Sequence, residues 1–193
     1  MSVKQALLAL LEQGPMYGYQ LRAEFEQRTG STWPLNVGQV YTTLNRLERD
    51  GLVAGAGGDD EGHVVYAVTD TGRDEVAAWW TTPVTRTQPP RDELAIKLAL
   101  AVTVPGVDVA GIIQHQRSAT MSALQDYTRL KRDADVRRDL SWSLVLDSLV
   151  FAAEAEIRWL DHCEARIRRA AVESASTLRS VHKLVETTRE ATR

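Results

Sequence analysis

The stretch 36-NVGQVYTTLNRLERDGLV-53 decides the fold of this chain. Its apolar residues have the 3-4-3 spacing that places side chains on one face of an α-helix, at Val37, Val40, Leu44 and Leu47. Asn36 is a preferred N-cap residue, and Gln39 three positions on predicts a capping box. Gly51 stands where a helix ends in a residue of positive φ, and a strand begins at Leu52. This combination is typical of the recognition helix of a winged helix-turn-helix.

The opposite face of this helix carries side chains that can hydrogen-bond the base edges or phosphates of DNA. The candidate DNA contacts on it are Gln39, Thr42, Thr43, Arg46 and Arg49. Tyr41 lies at the edge of the apolar face, so its ring can pack while its hydroxyl reaches a phosphate. Two alternatives stay open at this point. The face can be an ordinary solvated surface, and the Gln39 side chain can be used in the cap.

The segments around this helix predict a compact winged-helix module of about 80 residues. Residues 3–12 and 17–28 read as amphipathic helices that end at glycines. Two β-branched runs around the Gly- and Asp-rich loop 55–62 read as the hairpin that forms the wing. Residues 70–80 begin with N-cap chemistry and acidic first-turn residues, which predicts a fourth helix.

A proline-rich break at residues 81–90 separates this module from a helical second half. Helices are predicted there over 93–102, about 109–133 and about 140–169, and Asp92 and Asp108 cap the first two. We therefore expect a mainly α protein with four segments. They are a winged helix-turn-helix DNA-binding domain with a two-stranded wing over 1–82, a linker over 83–91, an all-α dimerisation domain over 92–169, and a C-terminal extension over 170–193 that is helical or partly disordered.

The longest predicted helix has an apolar face wider than one partner helix would cover. One seam is close to a heptad repeat and includes Trp142 and Ile167, and a second stripe includes Leu144 and Phe151. The helix over 109–133 is one partner, and a second copy of the chain is the natural source of the other. The candidate dimerisation residues are Val145, Leu149, Ala152, Trp159, Leu160 and Cys163.

The charge composition does not favour a DNA-binding function. The net charge is -3, and residues 1–82 hold six Lys/Arg against eleven Asp/Glu, a net charge of -5, whereas DNA-binding domains usually carry a basic excess. The single Cys163 excludes an intrachain disulfide. The N-terminus has neither a signal-peptide pattern nor a membrane-spanning stretch, so we expect a cytoplasmic protein.

Motifs for catalysis and metal binding are missing from the sequence. The four histidines and one cysteine have no metal-ligand spacing, so we expect no structural metal. There is no Gly-rich phosphate loop and no nucleophile elbow. We expect no cofactor and no enzymatic activity.

Three motifs occur in order along the first 72 residues: GPMYGYQL at 14–21, VYTTLNRLERDGL at 40–52 and YAVTDTG at 66–72. They resemble the P-x-Y-G-Y-[EQ]-[LI], [IV]-Y-x-x-L-x-R-L-E-x-x-G-[LI] and Y-x-[LV]-T-x-x-G signatures of the PadR family of bacterial transcriptional regulators. The helical second half, with EIRWL at 156–160, is similar to the dimerisation domain of the members that carry a long one. The resemblance covers most of the chain.

The resemblance implies a homodimeric regulator, most often a repressor, that binds a near-palindromic operator in double-stranded DNA. It implies a contact to the DNA backbone by Tyr17, although a core role for the Tyr17 ring is an alternative. Lys4 is a candidate phosphate contact by its position alone, and His63 next to the wing loop is a further candidate. It also implies a small planar aromatic effector near the dimer interface. Trp142 and Trp159 are the candidate ligand residues, with core packing as the alternative for each.

The wing departs from the family pattern, because family wings often carry Arg or Lys where this loop holds Asp59, Asp60 and Glu61. Phosphate would repel an acidic wing tip, so we expect the recognition helix to supply a larger share of the DNA contacts. The competing interpretation is a protein-interaction winged helix that does not bind DNA.

Overall fold

A computed structural model of the chain describes residues 3–58, 63–85, 91–133 and 139–191. It confirms the mainly helical winged helix-turn-helix fold with a helical second half. The elements in chain order are α1 (Val3–Leu11), β1 (Met16–Tyr17), α2 (Gly18–Arg28), α3 (Val37–Arg49), β2 (Val53–Gly58), β3 (Val64–Val68), α4 (Asp70–Thr81), α5 (Glu93–Ala101), α6 (Val109–Asp133) and α7 (Leu140–Ala191).

The chain forms two compact units. The first contains the described parts of Met1–Pro89 and Ala134–Val145, and the second those of Pro90–Asp133 and Leu146–Arg193. The start of α7, predicted to belong to the helical domain, groups with the first unit. Trp142 lies against Gly30 there, so closely that a Cβ on this glycine would be 2.2 Å from the ring. The boundaries predicted at 82 and 92 stay a prediction, and residues 86–90 between them lie outside the described residues.

The recognition helix α3 is held by its apolar face. Val40, Leu44 and Leu47 are at most 1% exposed and pack into the core of the first unit, where each side chain contributes about 1.5–3 kcal/mol through burial. Gly51 ends the helix with a φ of 72°, as predicted. The predicted capping box is wrong, because Asn36 Oδ1 accepts from the Gly38 N–H at 2.8 Å while no bond joins Gln39 to Asn36.

The sheet has three strands, one more than the predicted two-stranded wing. The order is β1-β3-β2, and β1 joins the wing hairpin through the pairs Met16↔Tyr66 and Tyr17↔Val65. The glycine run 55–58, predicted as loop, extends β2 because it pairs with β3, with an irregularity between Gly55 and Gly58. The acidic tip predicted at Asp59, Asp60 and Glu61 lies outside the described residues.

The second unit has a small core of its own, made by Leu98, Ile113 and Leu160. Asp92 and Asp108 cap α5 and α6 as predicted. The buried residues of α7 include Leu146, Ala153 and Leu160, seven positions apart. The seam is therefore shifted by one residue from the predicted one at Leu146 and Ala153, whereas Leu160 belongs to the predicted seam. In addition, α7 continues to Ala191, which is the helical alternative for the C-terminal extension.

An ion-pair cluster joins α6 to α7. Arg117 Nη2 lies 2.6 Å from Glu164 Oε2 and 2.8 Å from Asp161 Oδ1, and Arg168 pairs with Glu164 on the other side. The hydrogen bond from Arg117 holds the pKa of the Glu164 carboxyl below its usual value. A depressed carboxyl pKa stabilises the fold above the ordinary glutamate pKa, and this contribution is lost as pH falls through the folded-state pKa.

We therefore expect Glu164→Gln to make the second unit less sensitive to acid. Urea unfolding at several pH values should show that the variant loses less stability than the wild type between about pH 5 and pH 3. Glu154→Gln, at an exposed position of the same helix, is the control and should keep the wild-type pH slope. Equal slopes for all three proteins would contradict the role assigned to the Arg117 hydrogen bond.

Candidate nucleic-acid interface

The outer face of α3 is exposed and polar. Gln39, Thr42, Arg46 and Arg49 are exposed, and Thr43 is half-buried. Because Asn36 caps the helix without help from Gln39, that side chain is available for other contacts. Four predicted DNA contacts also line one depression of about 330 Å³ formed by α1 and α3. They are Lys4, Gln39, Thr43 and Arg46.

Most of the cations of the winged helix are already paired with carboxylates. Six Lys/Arg occur in residues 1–82, and the structure describes all of them. Five have partners: Lys4 with Glu75 (2.9 Å), Arg22 with Glu26 (2.9 Å), Arg28 with Glu24 (2.8 Å), Arg49 with Asp50 (2.8 Å) and Arg73 with Asp70 (3.8 Å). Among the described residues, Arg46 alone of the six has no carboxylate within salt-bridge distance.

This pairing concentrates the positive charge of α3 at Arg46. Exposed ion pairs contribute only about 0–1 kcal/mol to stability, so they do not fix the side chains rigidly. They do cancel the field that a polyanion would feel at a distance. An unpaired guanidinium at an exposed helical position can donate two hydrogen bonds to one guanine, at O6 and N7. The arrangement therefore favours specific hydrogen bonds from Arg46 to a base over nonspecific electrostatic binding to the phosphates.

Aromatic side chains gather beside the recognition helix. The rings of Tyr17 and His63 are stacked with centroids 4.9 Å apart and an angle of 14°. The Tyr41 ring lies against Gly18, where a Cβ would be 2.7 Å from it, so α2 and α3 approach closely at this glycine. Tyr17 also donates its backbone N–H to Gln20 Oε1 at 3.1 Å. These contacts give the Tyr17 and Tyr41 rings a packing role.

Two carboxylates of this face were missed by sequence reasoning. Asp50 follows Arg49 directly, so the sequence carried a local signal for that pair. Glu75 pairs with Lys4 across 71 positions, and only the packing of α1 beside α4 brings them together. The predicted phosphate contact by Lys4 must therefore compete with Glu75.

Two family models match the chain. The model of the transcriptional regulator PadR-like family matches residues 7–78, which hold α3 and the sheet. The model of the virulence activator alpha C-terminal region matches residues 90–168. The winged-helix half of the chain belongs to the PadR-like family of transcriptional regulators. Transcriptional regulation is the function of that family.

Two curated relatives are transcriptional regulators, and solved structures share the fold of this chain. A probable transcriptional regulator of Mycobacterium tuberculosis, Rv1176c, is 28% identical over 83% of this chain and 95% of its own length. The negative transcriptional regulator PadR of Bacillus subtilis is 24% identical over 86% and 97%. The structure of that PadR with operator DNA has a TM-score of 0.68 at 21% identity, covering 86% of this chain and 99% of that one. Vibrio cholerae AphA, a virulence activator, has a TM-score of 0.63 at 23% identity, covering 88% and 99%.

The predicted dimerisation residues of this PadR-like chain fall into two groups. Leu160 is fully buried in the core of its own chain, with Trp159 and Cys163 packed against that core, so Leu160 cannot supply a contact to a second copy. Ala152 is exposed, while Val145 and Leu149 are half-buried. Leu149 and Ala152 line a groove of about 340 Å³ that α6 and α7 form with small residues.

The two candidate ligand tryptophans occupy different surroundings. Trp142 lies against Gly30 in the first unit, and Trp159 packs against the core of the second. Each is half-buried, which fits the packing alternative. Within the described ranges, no His, Cys, Asp and Glu side chains come together in a group of three that could hold a metal ion. No helix in those ranges is long and apolar enough to cross a membrane.

Proposed function

We propose that this PadR-like protein is a homodimeric repressor that reads a near-palindromic operator through α3. The observation that carries the proposal is Arg46, an exposed guanidinium with no carboxylate partner among the described residues, on the outer face of a helix whose other face is anchored in the core. Gln39 and Thr42 lie on the same exposed face. In a dimer, two such helices enter successive major grooves about 34 Å apart, and the bound protein blocks transcription.

A second copy of the chain would cover the apolar surface that one chain leaves open. Leu144 and Phe151 of α7 are 60% and 66% exposed, which is unusual for large apolar side chains on one stripe. The groove lined by Leu149 and Ala152 has small residues that let a helix approach closely. We assign the dimer contact to Val145, Leu149 and Ala152 together with this stripe.

Release of the operator by a small planar aromatic is part of the proposal. Bacillus subtilis PadR has been solved with p-coumaric acid as well as with operator DNA, and this supports an effector of that class. The ligand would act by binding the DNA-incompetent state of the dimer more tightly, since only a difference in affinity shifts the equilibrium. An unfolding midpoint that no planar aromatic acid raises would contradict this part.

The test is fluorescence anisotropy with the DNA upstream of the protein's own gene and with a scrambled fragment, over a range of salt concentrations. We expect selective binding to the upstream fragment. The salt dependence should be shallow, because each neutralised phosphate adds about -0.9 to the slope of log K against log salt and few cations are unpaired. Failure to bind any fragment recovered by selection from random DNA, even at low salt, would contradict the proposal and favour a protein-interaction winged helix.

A further inference from the structure

Gly38 lies at the exposed start of α3, where it is the second residue of the helix and its φ is not in the positive region. A Cβ built on it would lie 3.3 Å from Asn36 Oδ1, the oxygen that caps the helix, so only this capping side chain would have to shift, by a few tenths of an ångström. Glycine leaves the backbone bare at this exposed position.

One turn further along the same exposed face stands Thr42. Its Oγ1 donates to the Gly38 carbonyl oxygen at 2.7 Å. A threonine hydroxyl has a single hydrogen, so this bond leaves none for a phosphate or for a base acceptor. Thr42 is exposed, so its γ-methyl group is the part of this side chain left for an apolar contact. We call Gly38 and Thr42, which lie one turn apart, the notch.

The notch matches one group in the major groove. The C5-methyl of thymine is the apolar feature of the groove edge, and threonine methyl groups are among its known partners in protein–DNA contacts. The geometry points to the Gly38–Thr42 notch as a specificity determinant that reads a thymine methyl in each half-site. This inference rests on the proposed function, because it requires α3 to lie in the major groove.

The experiment compares an operator made with thymine and the same operator made with uracil, which lacks only the C5-methyl. The operator is first recovered by selection from random DNA with the full-length protein. We expect wild-type affinity to fall about fourfold per half-site, or about 15-fold for a dimer, given the value of burying one methyl group. Equal affinity for the two operators would overturn the proposed contact between the notch and a thymine methyl, and would leave the proposed function standing. Failure to recover any operator would overturn both.

Two variants of Thr42 separate the methyl from the hydroxyl. Thr42→Ser keeps the hydroxyl and should bind the two operators equally, whereas Thr42→Val keeps a methyl and should retain the preference for thymine. A thymine preference that survives Thr42→Ser, or one that is lost in Thr42→Val, would show that the Thr42 methyl group does not contact thymine and would overturn the inference. Thr128→Ser is the matched control, because Thr128 is exposed on α6 and makes the same bond, to the Leu124 carbonyl at 2.7 Å. It should keep the wild-type ratio.

Gly38→Ala tests the bare backbone separately. The added Cβ should block the close approach of DNA at Gly38 and lower affinity for the thymine operator at least tenfold. The unfolding midpoint should stay within a few degrees of the wild type, because only the capping side chain of Asn36 has to shift. A Gly38→Ala variant that binds the operator as tightly as the wild type would show that DNA does not approach the backbone closely at Gly38. A midpoint that falls by several degrees would show that the fold needs this glycine, and would overturn the argument from Gly38.

Discussion

Replacing Arg46 with alanine is expected to lower the operator affinity of the dimer by about 30-fold to 10⁴-fold. A bidentate contact between arginine and guanine is worth about 1–3 kcal/mol, and a dimer makes it twice. No carboxylate among the described residues lies within salt-bridge distance of Arg46, so no described ion pair competes with DNA for its guanidinium. Anisotropy titration of both proteins on the same operator fragment measures the loss.

The matched control is the double change Arg49→Ala with Asp50→Ala. Arg49 lies three residues further along α3 and is exposed, but its Nε and Nη2 donate to Asp50 Oδ1 at 3.0 and 2.8 Å. Removing both side chains leaves the net charge unchanged, so we expect affinity within about threefold of the wild type. Losses as large as that of Arg46→Ala would contradict the distinction between paired and unpaired cations.

Gly72→Ala is expected to destabilise the winged helix by about 3 kcal/mol. A Cβ at this buried position would lie 2.1 Å from the Leu52 carbonyl oxygen and 2.7 Å from Val68 Cγ2. The same carbonyl accepts the Thr69 N–H at 3.1 Å, so it cannot move away without losing that bond. Thermal unfolding followed by circular dichroism should show a midpoint lower by about 10 °C or more.

Gly55→Ala is the control for this change. Gly55 lies in β2, and the nearest atom to its added Cβ would be Glu48 Oε1 at 3.6 Å, an ordinary contact. We expect its midpoint to stay within a few degrees of the wild type. Equal midpoints for the two alanine variants would show that α4 can shift away from β2, against the packing described here.

The elements of the winged helix that sequence analysis predicted well are those with local signals. Helix α3 has an N-cap residue, a one-sided apolar pattern and a glycine stop, and each of these acts within a few residues. Strand β1 has only two residues, and it is a strand because Met16 and Tyr17 pair with β3. That partner lies some fifty positions away, so no local pattern predicts it.

The packing of α7 shows a similar limit. The helix is apolar over a wide arc, and its sequence is compatible with more than one core-facing seam. The structure buries Leu146 and Ala153, whereas the predicted seam ran through Val145, Leu149 and Ala152. Further along the helix the predicted seam agrees with the structure, because Leu160 is buried there. Contacts with α5 and α6 decide the rotation of the helix, and the pattern of one helix alone does not contain them.

The ion pairs around the candidate interface could be predicted only in part. The pairs of Arg22 with Glu26 and of Glu24 with Arg28 are four residues apart on one helix, a spacing that the sequence displays directly. The pair of Lys4 with Glu75 depends on the tertiary fold. That Arg46 has no partner among the described carboxylates therefore depends on the tertiary fold as well as on local spacing.

Methylation interference on the operator tests most directly whether α3 reads DNA in the major groove. A methyl group on guanine N7 blocks an arginine that would bind O6 and N7 together. We predict that wild-type protein is blocked by guanines in two major-groove patches about 10 base pairs apart, and that Arg46→Ala loses sensitivity at one guanine in each patch. Interference confined to adenine N3 in the minor groove, or an unchanged pattern for Arg46→Ala, would contradict the account.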